Sequence, residues 1–170
     1  MKKLIIIGLT LAFITACQEK GPERYTQDSP QINTIKQLIG NYNNKTYDMS
    51  IYADTSKTYY NAKENPLSPE EVIAYHKERD MAYAQRSFLD KDQEYEMVLT
   101  DDGETWVNCW LDWQGTLAGN GQVVNIPIHL TYRFQDGKIV REVGMWDPSA
   151  IMLALQEIEM KNSMSADEKA

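Results

Sequence analysis

Apolar residues fall at Ile32, Ile35, Leu38, Ile39 and Tyr42. That is the 3.6-residue spacing of an amphipathic helix with one buried stripe, and the pair Asn43-Asn44 loosens its end. Residues 48–54 predict a second, shorter helical stretch, and residues 57–61 (KTYYN) a short β-prone strand. The stretch LSPEEVIAYHKERDMAYAQ carries the clearest local signal. Ser68 is placed as an N-cap, Pro69 at the first helical position and Glu71 as the partner in a capping box. The pattern predicts a helix over residues 69–87, with Val72, Tyr75, His76, Arg79, Ala82 and Tyr83 on one broad face. On that face His76 reads as a packing or hydrogen-bonding residue.

The period then drops from 3.6 to 2. Residues 93–100, 104–117, 122–135 and 138–146 read as four strands, broken by Asp101-Asp102-Gly103, Ala118-Gly119-Asn120-Gly121 and Asp136-Gly137. Acidic-Gly and Asn-Gly pairs suit tight turns with positive φ, and short loops between successive strands make antiparallel neighbours. Pro127 inside a strand requires an edge or a bulge. Asp147 and Pro148 then open a last helix, with Ile151, Leu155 and Ile158 on one stripe, and residues 161–170 form a polar tail. Helices, a short strand, a capped helix, a four-strand meander and a terminal helix make an α+β domain over residues 31–160, its helices on one side of a curved antiparallel sheet.

The first 30 residues change the picture of where the domain resides. Lys2 and Lys3 precede an apolar run over residues 4–14, eleven residues long, where a membrane span needs about 20. This is the layout of an export signal. It ends in Ile14-Thr15-Ala16-Cys17, which resembles the lipobox of bacterial lipoproteins. The resemblance implies cleavage after residue 16 and lipid on Cys17. Residues 17–30, polar and holding two prolines and a glycine, read as a flexible tether.

Charge narrows the partners. The chain has 17 basic and 25 acidic residues, a net charge of −8, and loss of Lys2 and Lys3 with the leader brings it to −10. Such a chain does not favour nucleic acid or anionic headgroups, so lipid on Cys17 would be the membrane attachment. With Cys17 acylated, Cys109 has no disulfide partner and reads as a buried thiol. His76 and His129 are far apart in sequence with no cysteine cluster, so neither a metal site nor a cofactor is expected.

Two segments carry a likeness to a known family. Residues 41–61 (NYNNKTYDMSIYADTSKTYYN) and residues 126–147 (IPIHLTYRFQDGKIVREVGMWD) resemble the first-helix segment and the closing hairpin of the NTF2-like superfamily, and within it the SnoaL-like proteins. The resemblance implies a cone of curved sheet and about three helices around a mostly apolar pocket. It also implies either of two functions. One is a small-ligand-binding or assembly module, homodimeric in many members. The other is an enzyme performing proton transfer, cyclisation or hydrolysis on a small carbonyl compound. Family cyclases carry an Asp just before the Arg of the closing hairpin. Here Arg133 is preceded by His129, Leu130, Thr131 and Tyr132, with no carboxylate.

The candidate acid–base residues are therefore Asp112, His129 and Asp147. Alternation sets Ile128, Leu130, Tyr132 and Phe134 on the apolar face and turns His129 away from it. Asp147 is accounted for as a helix cap. On the strand over residues 104–117, Trp106, Asn108, Trp110 and Asp112 share one face. Indoles mixed with hydrogen-bonding groups suit either a ligand wall or a dimer interface, and Trp106, Asn108, Trp110 and Tyr132 are the candidate ligand-binding set.

Overall fold

The structure is a computed structural model that describes residues 24–167. The expected leader and the lipid site at Cys17 lie outside the described residues. Three helices, α1 (Pro30–Asn43), α2 (Pro69–Asp80) and α3 (Ser149–Asp167), pack with seven strands. The strands are β1 (Tyr25–Thr26), β2 (Tyr52–Tyr60), β3 (Tyr83–Phe88), β4 (Glu94–Leu99), β5 (Thr105–Leu117), β6 (Val123–Gln135) and β7 (Lys138–Trp146). They form one sheet in the order β1-β4-β5-β6-β7-β2, with β3 also on β5. The expected meander is present as β4 to β7, all antiparallel. β2 closes its far edge by pairing parallel with β7, which makes the sheet mixed.

The expected local signals act as their chemistry requires. Ser68 and Glu71 form the capping box, and Asp136 (φ 51°) and Gly137 (φ 75°) turn the last hairpin with both residues left-handed. Several expected bounds are corrected. Within residues 17–30, expected as a tether, Tyr25–Thr26 pair with β4 and Pro30 opens α1, and α3 runs on to Asp167, into the expected tail. The helix opened by Ser68 ends at Asp80, not near Ser87, because residues 83–88 leave it to become β3. β5 is 13 residues long, and β4 covers only its first half. The second half has a free edge, and β3 takes it, with Phe88 opposite Trp113 and Tyr83 opposite Leu117. Sheet pairing overrides helical periodicity there. Residues 48–54 hold only a three-residue 3-10 turn (Met49–Ile51) before β2 begins.

One irregularity decides what faces the interior. Between β6 and β7, Arg133 pairs with Arg141 but Phe134 pairs with Ile139, so Val140 is an extra residue on β7. This bulge reverses the alternation. Ile139 is buried before it, and Glu142 and Gly144 are buried after it, while Arg141 and Met145 point outward. α1 lays Ile32, Ile35 and Ile39 into the core against Val107, Cys109 and Trp113 of β5 and Leu130 of β6.

Candidate functional site

The inner faces of β5, β6 and β7, together with α1, α2, β2 and the start of α3, enclose a cavity of about 130 Å³. That is roughly ten times the 10–15 Å³ that one water needs, enough for a small organic molecule. Its wall is mostly aromatic and aliphatic, including Tyr42, Tyr75, Phe88, Trp113, Ile128 and Trp146. Glycines make the packing possible at two points. A Cβ on Gly115 would fall 2.2 Å from Trp113 Cη2, and one on Gly144 would fall 2.9 Å from both Tyr60 Cδ1 and Trp146 Cζ3.

Glu142 is the polar centre of this wall, and it is only 3% exposed. Register places Thr58 of β2 and Tyr132 of β6 beside it on either side. Tyr52 Oη and Thr58 Oγ1 donate to Glu142 Oε2 at 3.0 and 3.3 Å, and Tyr60 Oη donates to Oε1 at 3.0 Å. The Tyr132 hydroxyl also favours the charged form. Burial pushes the carboxyl above its ordinary range, and the hydroxyls partly oppose that shift. No cation contacts it among the described residues.

Tyr60 also lies 3.2 Å from His76 Nε2. Its single proton goes to Glu142, so the bond to His76 is Nε2–H donating to the tyrosine oxygen. Nδ1 of His76 then carries the lone pair, and it has no protein partner among the described residues. Desolvation, aided by the positive charge of Arg86, lowers the imidazole pKa to about 4, so it is neutral near pH 7. Rings of Tyr42 and Tyr47 hold it in place, the first edge-on at 5.2 Å and the second stacked at 5.9 Å.

A second polar group adjoins the first. The Arg86 side chain is 1% exposed and donates to Asp80 Oδ1 (2.6 Å), Asp80 Oδ2 (3.0 Å), Tyr47 Oη (2.7 Å) and the Tyr42 carbonyl. Its guanidinium also lies 3.7 Å from the centre of the Tyr42 ring. Burial raises the Tyr42 and Tyr47 hydroxyls to about 12, so both are neutral at ordinary pH; Tyr47 donates to Asp80 Oδ2 and Tyr42 accepts from Trp113 Nε1.

The residues singled out from sequence are not brought together. Tyr132 lines the cavity. Trp106, Asn108 and Trp110 lie on the opposite face of β5, where they join a polar ladder. Trp106 donates to Glu104 (3.0 Å), Asn108 donates to Glu96 (3.0 Å) and Thr131 donates to Asn108. Trp110 rests against His129 across the strands at 5.0 Å. His129 is thus on the outer surface, as alternation requires, and its Nδ1 is buried without a partner among the described residues. Asp112 is exposed on that same outer face. Asp147 caps α3, accepting from Ser149 N at 2.9 Å and Ser149 Oγ at 2.5 Å. Sequence reasoning missed Glu142, Tyr52 and Tyr60, and it read His76 as a packing or hydrogen-bonding residue, whose partner proves to be Tyr60. Strict alternation hid Glu142, and no local pattern marks Val140 as a bulge.

Comparison with known proteins places this geometry. No family model matches the chain, and no curated protein matches it. Solved structures do. AclR of Streptomyces galilaeus, a candidate hydroxylase, superposes with a TM-score of 0.60 at 15% identity, over 75% of this chain and 96% of its own. A candidate SnoaL-like polyketide cyclase from Jannaschia sp. CCS1 superposes with a TM-score of 0.56 at 15% identity, over 80% and 95%. The fold is NTF2-like. A third structure with this architecture, a ketosteroid isomerase-like protein from Catenulispora acidiphila in complex with trimethylamine, gives a TM-score of 0.53 at 11% identity, over 69% and 86%. Identities this low carry the NTF2-like cone to this chain and nothing about its chemistry.

Proposed function

We propose that this NTF2-like domain binds a small, mostly apolar ligand in its cone, with one polar end of the ligand at the His76–Tyr60–Glu142 array. The observation that carries this is the Tyr60 hydroxyl, set between His76 and Glu142 at 3.2 and 3.0 Å inside an aromatic cavity. Apolar walls with a few convergent polar groups are how small-molecule sites are built. The neighbours support the reading in kind: one is in complex with a small organic molecule and another is a candidate polyketide cyclase. A thermal-shift panel of small amphipathic and carbonyl compounds tests it. A ligand at a hundred times its Kd adds about 2.7 kcal/mol of stability. A shift lost in Tyr60→Phe is expected, and a flat response across the panel would sink the reading.

The same array favours a second reading, a SnoaL-like enzyme acting on a carbonyl compound. A proton leaving the carbon next to the carbonyl would go to His76 Nδ1. Nε2–H would pass to Tyr60, and the Tyr60 proton would pass to Glu142. The C–H bond breaks, its electron pair forms the enolate, and Glu142 gains the proton. Burial makes Glu142 a better acceptor than an ordinary carboxylate. Exchange of the α-hydrogen for deuterium, followed by NMR and abolished in His76→Ala, is the test.

The cellular setting belongs to the same proposal. Lipid on Cys17 would hold the domain at a membrane of the cell envelope, with the cone free in the adjoining aqueous space. The support is the run Ile14-Thr15-Ala16-Cys17 after a basic start and a short apolar segment. Metabolic labelling with a fatty acid, lost in Cys17→Ala, would test it.

A further inference from the structure

One charge in the cavity is unanswered. Besides Glu142, the charged residues that line it are Asp48, Asp80 and Arg79. Asp80 is paired with Arg86. Asp48 is exposed and turned to its own backbone, accepting from Ser50 N. Arg79 is exposed, with its guanidinium 4.2 Å from the centre of the Tyr75 ring. Glu142 alone is deeply buried with hydroxyl partners and no cation. Hydroxyls solvate a carboxylate but do not neutralise it, and an ion removed from water is stabilised most by an opposite charge.

The wall around Glu142 suits one kind of charge. Tyr60 meets Trp146 at 5.4 Å and 59°, and meets Tyr75 at 5.2 Å and 41°. Inclined rings of this kind form a corner rather than a stack, and Tyr52 and Tyr132 also line the cavity. Ring faces are electron-rich and attract cations, organic ammonium ions above all, and the attraction grows when water is excluded. His76, neutral near pH 7, adds no repulsion.

We infer that the ligand carries a small organic cation, an alkylammonium head, seated on Tyr60, Tyr75 and Trp146 with Glu142 as its counter-charge. This rests on the ligand-binding reading above. It makes Glu142 an anchor that stays ionised, so it stands against the carbonyl chemistry of the second reading, which needs Glu142 as a proton acceptor.

The test is calorimetric titration of the full chain with choline, with tetraethylammonium as a bulkier cation, and with the neutral carbon isostere of choline, in which a tert-butyl group replaces trimethylammonium. A cation is expected to bind at least about tenfold more tightly than the isostere. The preference should be lost in Glu142→Gln. In the wild type it should grow as pH rises and Glu142 ionises, a readout that needs no variant. Equal affinity for cation and isostere overturns the inference, as does a preference that ignores both the substitution and pH. If neither cation binds while neutral compounds of the panel still shift the melting temperature, the inference falls and the binding reading stands. If nothing in the panel binds, both fall.

Discussion

Arg86 and Glu142 are both buried beside the same cavity, and their surroundings differ in kind. Arg86 is met by a carboxylate on two of its nitrogens, by a tyrosine hydroxyl, by a carbonyl and by the face of Tyr42. Its charge is balanced inside the protein, and each of its three nitrogens has a fixed acceptor. Glu142 has hydroxyl donors on both oxygens and no balancing charge. Burial therefore disfavours its ionised form. The first group is complete without a ligand and holds the wall in shape. The second is hydrogen-bonded but electrically incomplete, and that marks it as the place where a ligand can contribute something the protein lacks.

The largest expected effect comes from breaking the complete group. Arg86→Met leaves Asp80 without its cation and is expected to destabilise by about 3–5 kcal/mol in urea unfolding. A loss below about 1 kcal/mol would mean that the pair carries little net energy.

His76, set between the two groups, gives the next effect through pH. Its folded pKa of about 4 lies below the 6.5 of an ordinary imidazole. The unfolded chain thus binds the proton first, and stability is lost as pH falls from about 6.5 through about 4. The contribution is on the order of 3 kcal/mol, and His76→Asn should flatten that part of a stability–pH curve.

Overpacking the corner comes third. Gly144→Ala would drive a methyl into Tyr60 and Trp146. It is expected to destabilise by about 1–3 kcal/mol and to weaken ligand-induced thermal shifts along with the fold.

Glu142→Gln keeps an acceptor for the hydroxyls while removing the uncompensated charge. The folded carboxyl is raised above its ordinary value. Its favourable contribution is therefore complete below the ordinary carboxylate range and is lost as pH climbs through the raised value. The variant should abolish that loss while changing stability by less than about 1.5 kcal/mol at low pH. A variant that loses stability with rising pH as the wild type does would show that Glu142 is not the group responsible.

The smallest effect is expected outside the cone. Trp110 is 43% exposed on the outer face of β5. Trp110→Ala should change stability by about 0.5 kcal/mol and leave ligand-induced shifts as they are. A lost shift would mean that the ligand sits on the outer face.

Local chemistry decided much of this protein before any tertiary contact formed. The capping box at Ser68 and Glu71, the Asp136-Gly137 turn and the period-2 runs over residues 93–146 depend on neighbours a few positions away, so the meander and the helix starts were legible. The inward set of β6 was legible too, because unbroken alternation survives there, whereas on β5 alternation separated the two faces without telling which one turns to the core, and the candidate ligand set Trp106, Asn108 and Trp110 fell on the outer one. The length of α2 was not: residues 83–88 can continue a helix or pair as a strand, and only the free edge of β5 settles the matter. Nor was the site. Glu142 faces the core because one extra residue, Val140, shifts the phase of β7, and Tyr60 reaches it because β2 returns parallel to that strand from some eighty residues away. A side chain's residue type is local. Which face it takes after a bulge, and which distant hydroxyl meets it there, are set by strand pairing, and strand pairing exists only in the folded chain.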